Sequence, residues 1–265
     1  MRRSIIFVSG VALICATLGT IGRNPGFAVI ATVFLASLGG SIGGVAFSAL
    51  CGVVLFRLDL DPVRVVQIMM MCSIANQTVM TWSVRRDINW RGVGVFLLGG
   101  AFGVPLGLWL LLYADHRLYT RELGVFLVAY GVYMLTRPSA TLRLYRPGLD
   151  LVAGVLGGIT GAAAAFPSAP VVIWCSFKGW DKARQRAVFQ PFILIMQIAS
   201  LLTIYLVTHT VTMQSGGFAF GDLLCVPTGL LGTLIGLALY RRISTQQFTL
   251  ALNLLLVVSG ISFLV

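Results

Sequence analysis

The sequence predicts an all-α polytopic integral membrane protein made of two inverted repeats. Each repeat is a broken, re-entrant helix hairpin followed by three transmembrane helices, and an extra helix precedes the first repeat. Of 265 residues, 58% are hydrophobic and only 10% are charged, whereas soluble domains carry about 25% charged residues. Charged residues are absent from residues 24–56, 65–84, 92–114, 123–136, 151–177 and 187–221. Uncharged apolar runs of this kind predict membrane helices.

The first element is an apolar helix at about residues 4–22, which follows Arg2 and Arg3. We interpret it as a retained helix, in an N-terminal unit of residues 1–25, because no small-residue cleavage site followed by a soluble domain is present. The basic pair before it predicts a cytoplasmic N-terminus.

Two similar series of apolar segments follow this helix. The first repeat, residues 26–136, has a long segment at 26–57 and helices near 63–84, 92–113 and 119–136. A basic linker, residues 137–148, separates it from the second repeat, residues 149–265. That repeat has a long segment at 149–180 and helices near 185–209, 218–240 and 246–265.

The long segments do not fit a single membrane crossing. A continuous helix over residues 26–57 would be about 48 Å long, against about 30 Å of hydrocarbon. Glycine-rich stretches at 38–44 and 154–161 interrupt the two segments, and the second also contains Pro167 and Pro170. Such breaks are tolerated at membrane depth where the freed backbone is enclosed by protein or lines a cavity. The sequence therefore predicts two half-helix hairpins.

Internal similarity and charge support the repeats and their inversion. Residues 100–136 align without a gap on residues 229–265, with 11 of 37 positions identical. An offset of 120 places Arg64 on Arg184 and Gln77 on Gln197. If both hairpins re-enter, 14 of the 19 lysines and arginines lie on the cytoplasmic side, as the positive-inside rule favours. Each repeat then has three full crossings, so the repeats are inverted, as in many secondary transporters.

These motifs resemble the sulfite exporter TauE/SafE family of membrane transporters. The resemblance covers about residues 28–265 and depends on the order of short motifs. They are Leu38-Gly39-Gly40-Ser41-Ile42-Gly43-Gly44, Leu156-Gly157-Gly158-Ile159-Thr160-Gly161, Asp87-Ile88-Asn89-Trp90-Arg91 and the glycine triplets 100/103/107 and 229/232/236. The resemblance implies transport of sulfur-containing anions such as sulfite or alkyl and aryl sulfonates across the bacterial inner membrane. The sequence departs from the family signature at Ser48 and at residues 162–165.

The predicted substrate site lies at the hairpin tips and on the helices that follow them. A half-helix that begins at a tip has free N–H groups and a positive dipole end, which favour an anion. Ser48 and Ser168 add hydroxyl groups there, although serine before a helix is equally an ordinary N-cap. Amides inside apolar helices face the bundle interior, where they bond across helices or line a pathway. The predicted substrate-binding residues are Phe47, Ser48, Asn76, Gln77, Phe166, Pro167, Ser168, Gln190 and Gln197.

Charged side chains supply two further hypotheses. Arg64, Arg184 and Arg186 lie at helix starts, where they would raise the local concentration of an anion, or would serve as topology signals and lipid contacts. His209 and Asp222 are the candidates for coupling to an ion. Coupling to protons or to sodium and assembly as a homodimer are both compatible with the sequence.

Other functional classes fit poorly. No metalloprotease, hydrolase or P-loop signature is present, so we expect no enzyme activity, no cofactor and no metal site. The net charge of +11 is spread over short clusters between apolar runs, which argues against nucleic acid. A secondary transporter of a small anion is the leading hypothesis. A transporter of a non-sulfur carboxylate, a channel and a non-transporting membrane scaffold are the alternatives.

Overall fold

The computed structural model describes residues 25–43, 47–56, 58, 60–113, 116–136, 147–180, 182–207, 220–240, 257 and 261. Every regular element within these ranges is a helix, and no strand occurs among them. The predicted all-α class is therefore confirmed for this part of the chain. The predicted N-terminal helix, His209 and nearly all of the predicted last helix lie outside the described residues.

Ten helices are described, and their bounds follow the apolar runs closely. They are α1 (Pro25–Gly43), α2 (Phe47–Leu55), α3 (Pro62–Val84), α4 (Trp90–Tyr113), α5 (His116–Thr136), α6 (Pro147–Ala164), α7 (Ser168–Phe177), α8 (Lys182–Val207), α9 (Phe220–Leu223) and α10 (Cys225–Tyr240).

Helix ends have local causes. Asp61 caps α3: its carboxylate accepts hydrogen bonds from the N–H groups of Val63 (2.6 Å) and Arg64 (3.2 Å), and Pro62 follows in the first turn, where a missing N–H costs nothing. The helix predicted near 218–240 is instead two helices, α9 and α10, separated at Leu224. Pro227 lacks the N–H that would bond to the carbonyl four residues earlier, which weakens the helix at this point.

Glycines allow two helix pairs to pack with their backbones in contact. Gly99, Gly103 and Gly107 of α4 lie directly against the backbone of α6. Gly232 and Gly236 of α10 lie in the same way against the backbone of α1, while Gly229 lies against its side chains. A Cβ atom at Gly232 would be 2.5 Å from the carbonyl oxygen of Phe34. Small residues permit such close approach between membrane helices, so the glycine triplets seen in the sequence have a packing role.

The two long apolar segments each contain a pair of packed helices. In the second segment, α6 and α7 meet at their outer ends, where Lys178 Nζ donates to Asp150 Oδ2 at 2.7 Å and Trp174 Nε1 donates to Asp150 Oδ1. In the first segment, Gly40 of α1 lies directly against the backbone of Phe47, where α2 begins. The chain therefore turns back within each segment, between residues 43 and 47 and between residues 164 and 168.

The outer surface of the bundle is apolar, and its interior holds polar side chains. Phe102, Leu106 and Trp109 of α4 are exposed, with 75% of the Phe102 surface accessible. By contrast, Gln190 and Gln197 of α8 are buried. Within the described residues, Trp90–Tyr113 and Ala183–Val207 are long and apolar enough to cross a membrane. Large exposed apolar patches mark contact with a membrane or another protein.

Candidate functional site

A cavity opens between α1, α2, α3 and α10, beside the break in the first long segment. Its volume is about 10 Å³, which leaves room for about one water molecule. The end of α1 contributes Gly40 and Ser41, and the start of α2 contributes Phe47. The remaining lining comes from α3 and α10 and consists of Ser73, Asn76, Gln77, Met80 and Thr233. Five of these eight residues carry a polar side chain, and none is charged.

Part of this polar lining is held in place and part is available to a ligand. Asn76 Nδ2 donates to Ser37 Oγ at 3.1 Å, and Ser41 Oγ donates to the carbonyl of Leu38 at 2.9 Å. Gln77 Oε1 and Thr233 Oγ1 are buried and have no hydrogen-bond partner among the described residues. Buried polar groups are normally paired, so these two atoms indicate a place where a ligand or water completes the hydrogen bonding.

The lining includes three of the nine predicted substrate-binding residues, Phe47, Asn76 and Gln77. Ser48 is buried one residue further into α2 but does not line the cavity. The other five lie in the second half, and the cavity lining includes none of them. The structure thus separates the predicted residues into two groups.

The second group surrounds the break between α6 and α7. Phe166 packs edge-on against Phe126 and Tyr130, with ring centroids 5.8 and 5.3 Å away, and Pro167 packs against Gly157 and Gly161. Phe166 and Pro167 therefore pack against neighbouring side chains and backbone.

The polar members of the second group are buried. Ser168 begins α7, while Gln190 and Gln197 lie on α8. Gln197 Nε2 donates to the carbonyl of Ala165 at 3.1 Å. Gln190 Oε1 and Gln197 Oε1 have no hydrogen-bond partner among the described residues.

Arg64 and Asp222, predicted for different roles, form one ion pair. The guanidinium binds the carboxylate through two bonds, Nε to Oδ2 at 3.1 Å and Nη2 to Oδ1 at 3.0 Å. The Asp222 side chain is only 7% exposed and that of Arg64 is 46% exposed. The pair ties the start of α3 to α9, so the charge of each group is already compensated.

The cations around the second hairpin contact aromatic rings. Arg184 lies over the ring of Trp180, 4.5 Å from the centroid. Lys178, bound to Asp150, also lies 4.5 Å from the Trp180 ring and 5.8 Å from that of Phe96. Arg186 is partly buried on α8. Among the described residues no group of three or more histidine, cysteine, aspartate or glutamate side chains is placed to hold a metal ion.

Sequence reasoning did not predict Ser73, Met80 or Thr233 as lining residues. Ser73 lies four residues before Gln77 on α3, a spacing that places both on one helix face, so helical periodicity could have identified it. Thr233 comes from α10, and only the contact of α10 with α1 and α3 brings it to the cavity. No local pattern contains that information.

With this geometry established, comparison with known proteins gives a family. The profile of the family described as "Sulfite exporter TauE/SafE" matches residues 27–263. The chain belongs to this family. A curated relative, "Probable inner membrane transporter protein TsaS" of Comamonas testosteroni, is 25% identical over 179 residues, which are 67% of this chain and 73% of that protein. No solved structure matches.

The family match identifies the chain as a member of a membrane transporter family. It confirms the resemblance drawn from the glycine-rich motifs. It also accounts for the apolar outer surface of the bundle, since lipid tails are the solvent of a transmembrane helix.

Proposed function

We propose that this protein is a secondary transporter that moves a small sulfur-containing anion across the bacterial inner membrane by alternating access. The substrate class is an alkyl or aryl sulfonate, sulfite or a related organic acid. The observation that carries the proposal is a cavity beside a helix break, lined by neutral polar side chains and holding buried polar atoms without partners. The family name and the name of the relative, an inner membrane transporter, support it.

Neutral donors suit a weakly basic anion. The hydroxyls of Ser73 and Thr233 each have a hydrogen to donate. The side chain of Gln77 makes no hydrogen bond among the described residues, so its amide can turn its NH₂ group toward an anion. Phe47 lines the cavity and is also the first residue of α2, so the free N–H groups and the positive dipole end of α2 lie beside it. A sulfonate has three oxygens that share one negative charge, and it is met here by several donors rather than by a fixed cation.

Apolar side chains in the same cavity explain a preference for an organic substituent. The ring of Phe47 and the thioether of Met80 line it. Methionine adapts its shape to irregular groups and makes favourable contacts with aromatic rings. The cavity must widen to admit such a substrate; its alkyl or aryl group would then contact these side chains while the sulfonate oxygens face Ser73, Gln77 and Thr233.

Helix contacts support inverted repeats. The pair of α4 with α6 and the pair of α10 with α1 are equivalent under the repeat, and each joins one half to the other. In both pairs, residues later in one helix contact residues later in the other. For example, Gly99 lies against Leu151, and Gly107, two turns later, lies against Ile159, so the paired helices are parallel. The starts of α1, α3 and α10 then share one side of the membrane, and those of α4, α6 and α8 share the other. Rocking of such halves about a midplane site gives alternating access.

Uptake by proteoliposomes tests the function. We expect saturable accumulation of benzenesulfonate or methanesulfonate and little of benzoate or acetate, which match them in size but carry a carboxylate. A membrane scaffold would move none of them. Equal rates for benzoate and benzenesulfonate would disprove the sulfur-anion class, and absence of any flux would disprove transport.

Variants of the cavity locate the site. Gln77→Leu and Thr233→Val remove one donor each at nearly constant shape, and we expect the KM for sulfonate to rise about 10-fold or more, since a hydrogen bond to a charged group contributes about 1.5–3 kcal/mol. Thr78→Ala is the matched control: Thr78 follows Gln77 on α3, but its side chain is exposed and bonds to the Ile74 carbonyl. If Gln77→Leu and Thr78→Ala have the same KM, the cavity is not the substrate site.

A further inference from the structure

The charged side chains that the structure describes are unevenly divided between the two ends of the helix bundle. Residues 85–89 join the end of α3 to the start of α4, and α6 begins at the same end because it runs parallel to α4. The bond of Lys178 to Asp150 places the end of α7, and with it the start of α8, there too. The side chains at this end are Arg85, Arg86, Arg91, Lys178, Arg184 and Arg186 against Asp87 and Asp150, whereas Asp61, Arg64, Arg121 and Asp222 lie toward the other end. The first end is therefore strongly basic, and the other is balanced.

Three of these cations lie close together in the chain, in the connection between α3 and α4, which we call the basic link (residues 85–91). Arg85, Arg86 and Arg91 are exposed, and none of them forms an ion pair with a described residue. The link is anchored to the bundle, because Ile88 packs against the hydrophobic core. The side-chain oxygen of Asn89 accepts a hydrogen bond at 3.4 Å from an N–H in the first turn of α4. The three guanidinium groups are thus carried by a connection with a defined shape.

Two exposed tryptophans flank the basic link. Trp82, in the last turn of α3, and Trp90, the first residue of α4, have 67% and 57% of their surface accessible. The guanidinium of Arg85 lies over the Trp82 ring, 4.2 Å from its centroid, and Nη1 donates to the Trp82 carbonyl at 3.0 Å. The other N–H groups of this guanidinium remain for a second partner. The link therefore combines cationic donors with the aromatic side chains that membrane proteins place at the lipid headgroups.

We propose that the basic link binds the headgroup of an acidic phospholipid, in the leaflet that this end of the bundle faces. Guanidinium groups bind phosphate oxygens through two parallel hydrogen bonds, and basic clusters beside membrane helices attract anionic lipids. The exposed tryptophan rings favour a lipid over a phosphate ion, because they offer apolar surface to the glycerol and acyl part of a lipid. The proposal does not depend on the substrate that the protein carries. It gives a role to the motif at residues 87–91, which does not line the cavity.

A topology signal would explain the charge of the basic link but not its arrangement. Topology depends on the number of lysines and arginines near the ends of membrane helices, so lysine serves it as well as arginine. The two-bonded phosphate contact and the stacking of a planar group on a ring instead require the guanidinium. Replacing all three arginines by lysine therefore separates the two explanations, since the charge stays and the phosphate geometry is lost.

Tryptophan quenching by brominated lipids measures the binding in the full-length protein. Protein reconstituted in phosphatidylcholine vesicles receives a small fraction of either brominated phosphatidylglycerol or brominated phosphatidylcholine. At equal fraction the acidic lipid should quench the fluorescence several-fold more, because it gathers beside Trp82 and Trp90. Equal quenching by the two lipids would overturn the proposal. Inorganic phosphate should relieve the quenching no more than chloride of equal ionic strength, and selective relief by phosphate would assign the site to a free anion and overturn the lipid.

Variants place the lipid at the basic link. Arg85→Lys, Arg86→Lys and Arg91→Lys together should lose most of the preference for the acidic lipid, and the corresponding three glutamine substitutions should abolish it. Arg121→Gln is the matched control, since Arg121 is exposed near the start of α5, toward the other end of the bundle, and it should keep the wild-type preference. Should the glutamine variant fail to insert, the lysine variant, which keeps the topology signal, carries the test. A wild-type preference in the lysine variant, or its loss in Arg121→Gln, would overturn a phosphate site built by these arginines.

Discussion

Replacing Gly103 by alanine adds a single methyl group where α4 packs against α6. A Cβ atom at this position would lie 2.9 Å from the Ile159 nitrogen and closer still to the Val155 carbonyl oxygen. Cβ atoms essentially never come within 3.0 Å of a heavy atom to which they are not bonded. The atoms in the way belong to the backbone of α6, which has no rotamer to change. The two helices must therefore move apart along the whole interface.

The expected cost follows from this geometry. Overpacking a closely packed interior costs about 1–3 kcal/mol, and the middle of that range is appropriate because a rigid backbone blocks local relief. A loss of about 2 kcal/mol lowers the melting temperature of a chain of this size by about 4–8 °C. Alanine has a higher helix propensity than glycine by about 1 kcal/mol, which offsets about half of the loss. The net loss of about 1 kcal/mol should lower the melting temperature by about 2–4 °C.

Melting of purified protein in detergent, followed by circular dichroism, measures the effect. Gly94→Ala is the matched control, because Gly94 lies on the same helix and a Cβ atom there would meet nothing within 4 Å. Its melting temperature should stay the same or rise. Equal melting temperatures for Gly103→Ala and Gly94→Ala would refute the close packing of α4 on α6, and with it the structural role of the glycine triplets.

Two further predictions concern the helix break and the ion pair. Ala165 has a φ of 53°, a left-handed conformation that costs a residue with a Cβ atom about 1–2 kcal/mol. The melting temperature of Ala165→Gly should therefore equal or exceed that of the wild type, and that of Ala165→Val should be lower. The reverse order of melting temperatures would contradict the left-handed conformation. Arg64→Met leaves the buried Asp222 carboxylate without its guanidinium and should cost about 2 kcal/mol, reduced by the exposure of the arginine. Asp222→Asn should lower the stability less, because the half-exposed Arg64 keeps its contacts with water. Thermal unfolding in detergent measures both variants. A larger loss of stability in Asp222→Asn than in Arg64→Met would show that the arginine is the buried partner.

Apolar patterning predicted most of the fold. The helices expected near 63–84, 92–113 and 119–136 appear as α3, α4 and α5, with starts within three residues. Each start depends on a local signal, such as the Asp61 cap, that sequence reasoning can recognise. The split at Leu224 was not predicted, although Pro227 is a helix-breaking signal in the sequence, because the apolar pattern continues past it to residue 240.

The site was predicted less completely, since its two halves have the same residue types but different partners. An offset of 120 residues pairs Gln77 with Gln197, so we predicted one role, substrate binding, for both. Their surroundings differ: Gln77 lines a cavity that Thr233 of α10 completes, while the carbonyl of Ala165, after the end of α6, holds the nitrogen of Gln197. An amide offers either a donor or an acceptor, and its neighbours decide which one is free. The amide of Gln197 is thus fixed with its oxygen unpaired, whereas that of Gln77 can turn either end to the cavity. This difference arises from tertiary contacts, which neither half of the sequence encodes by itself.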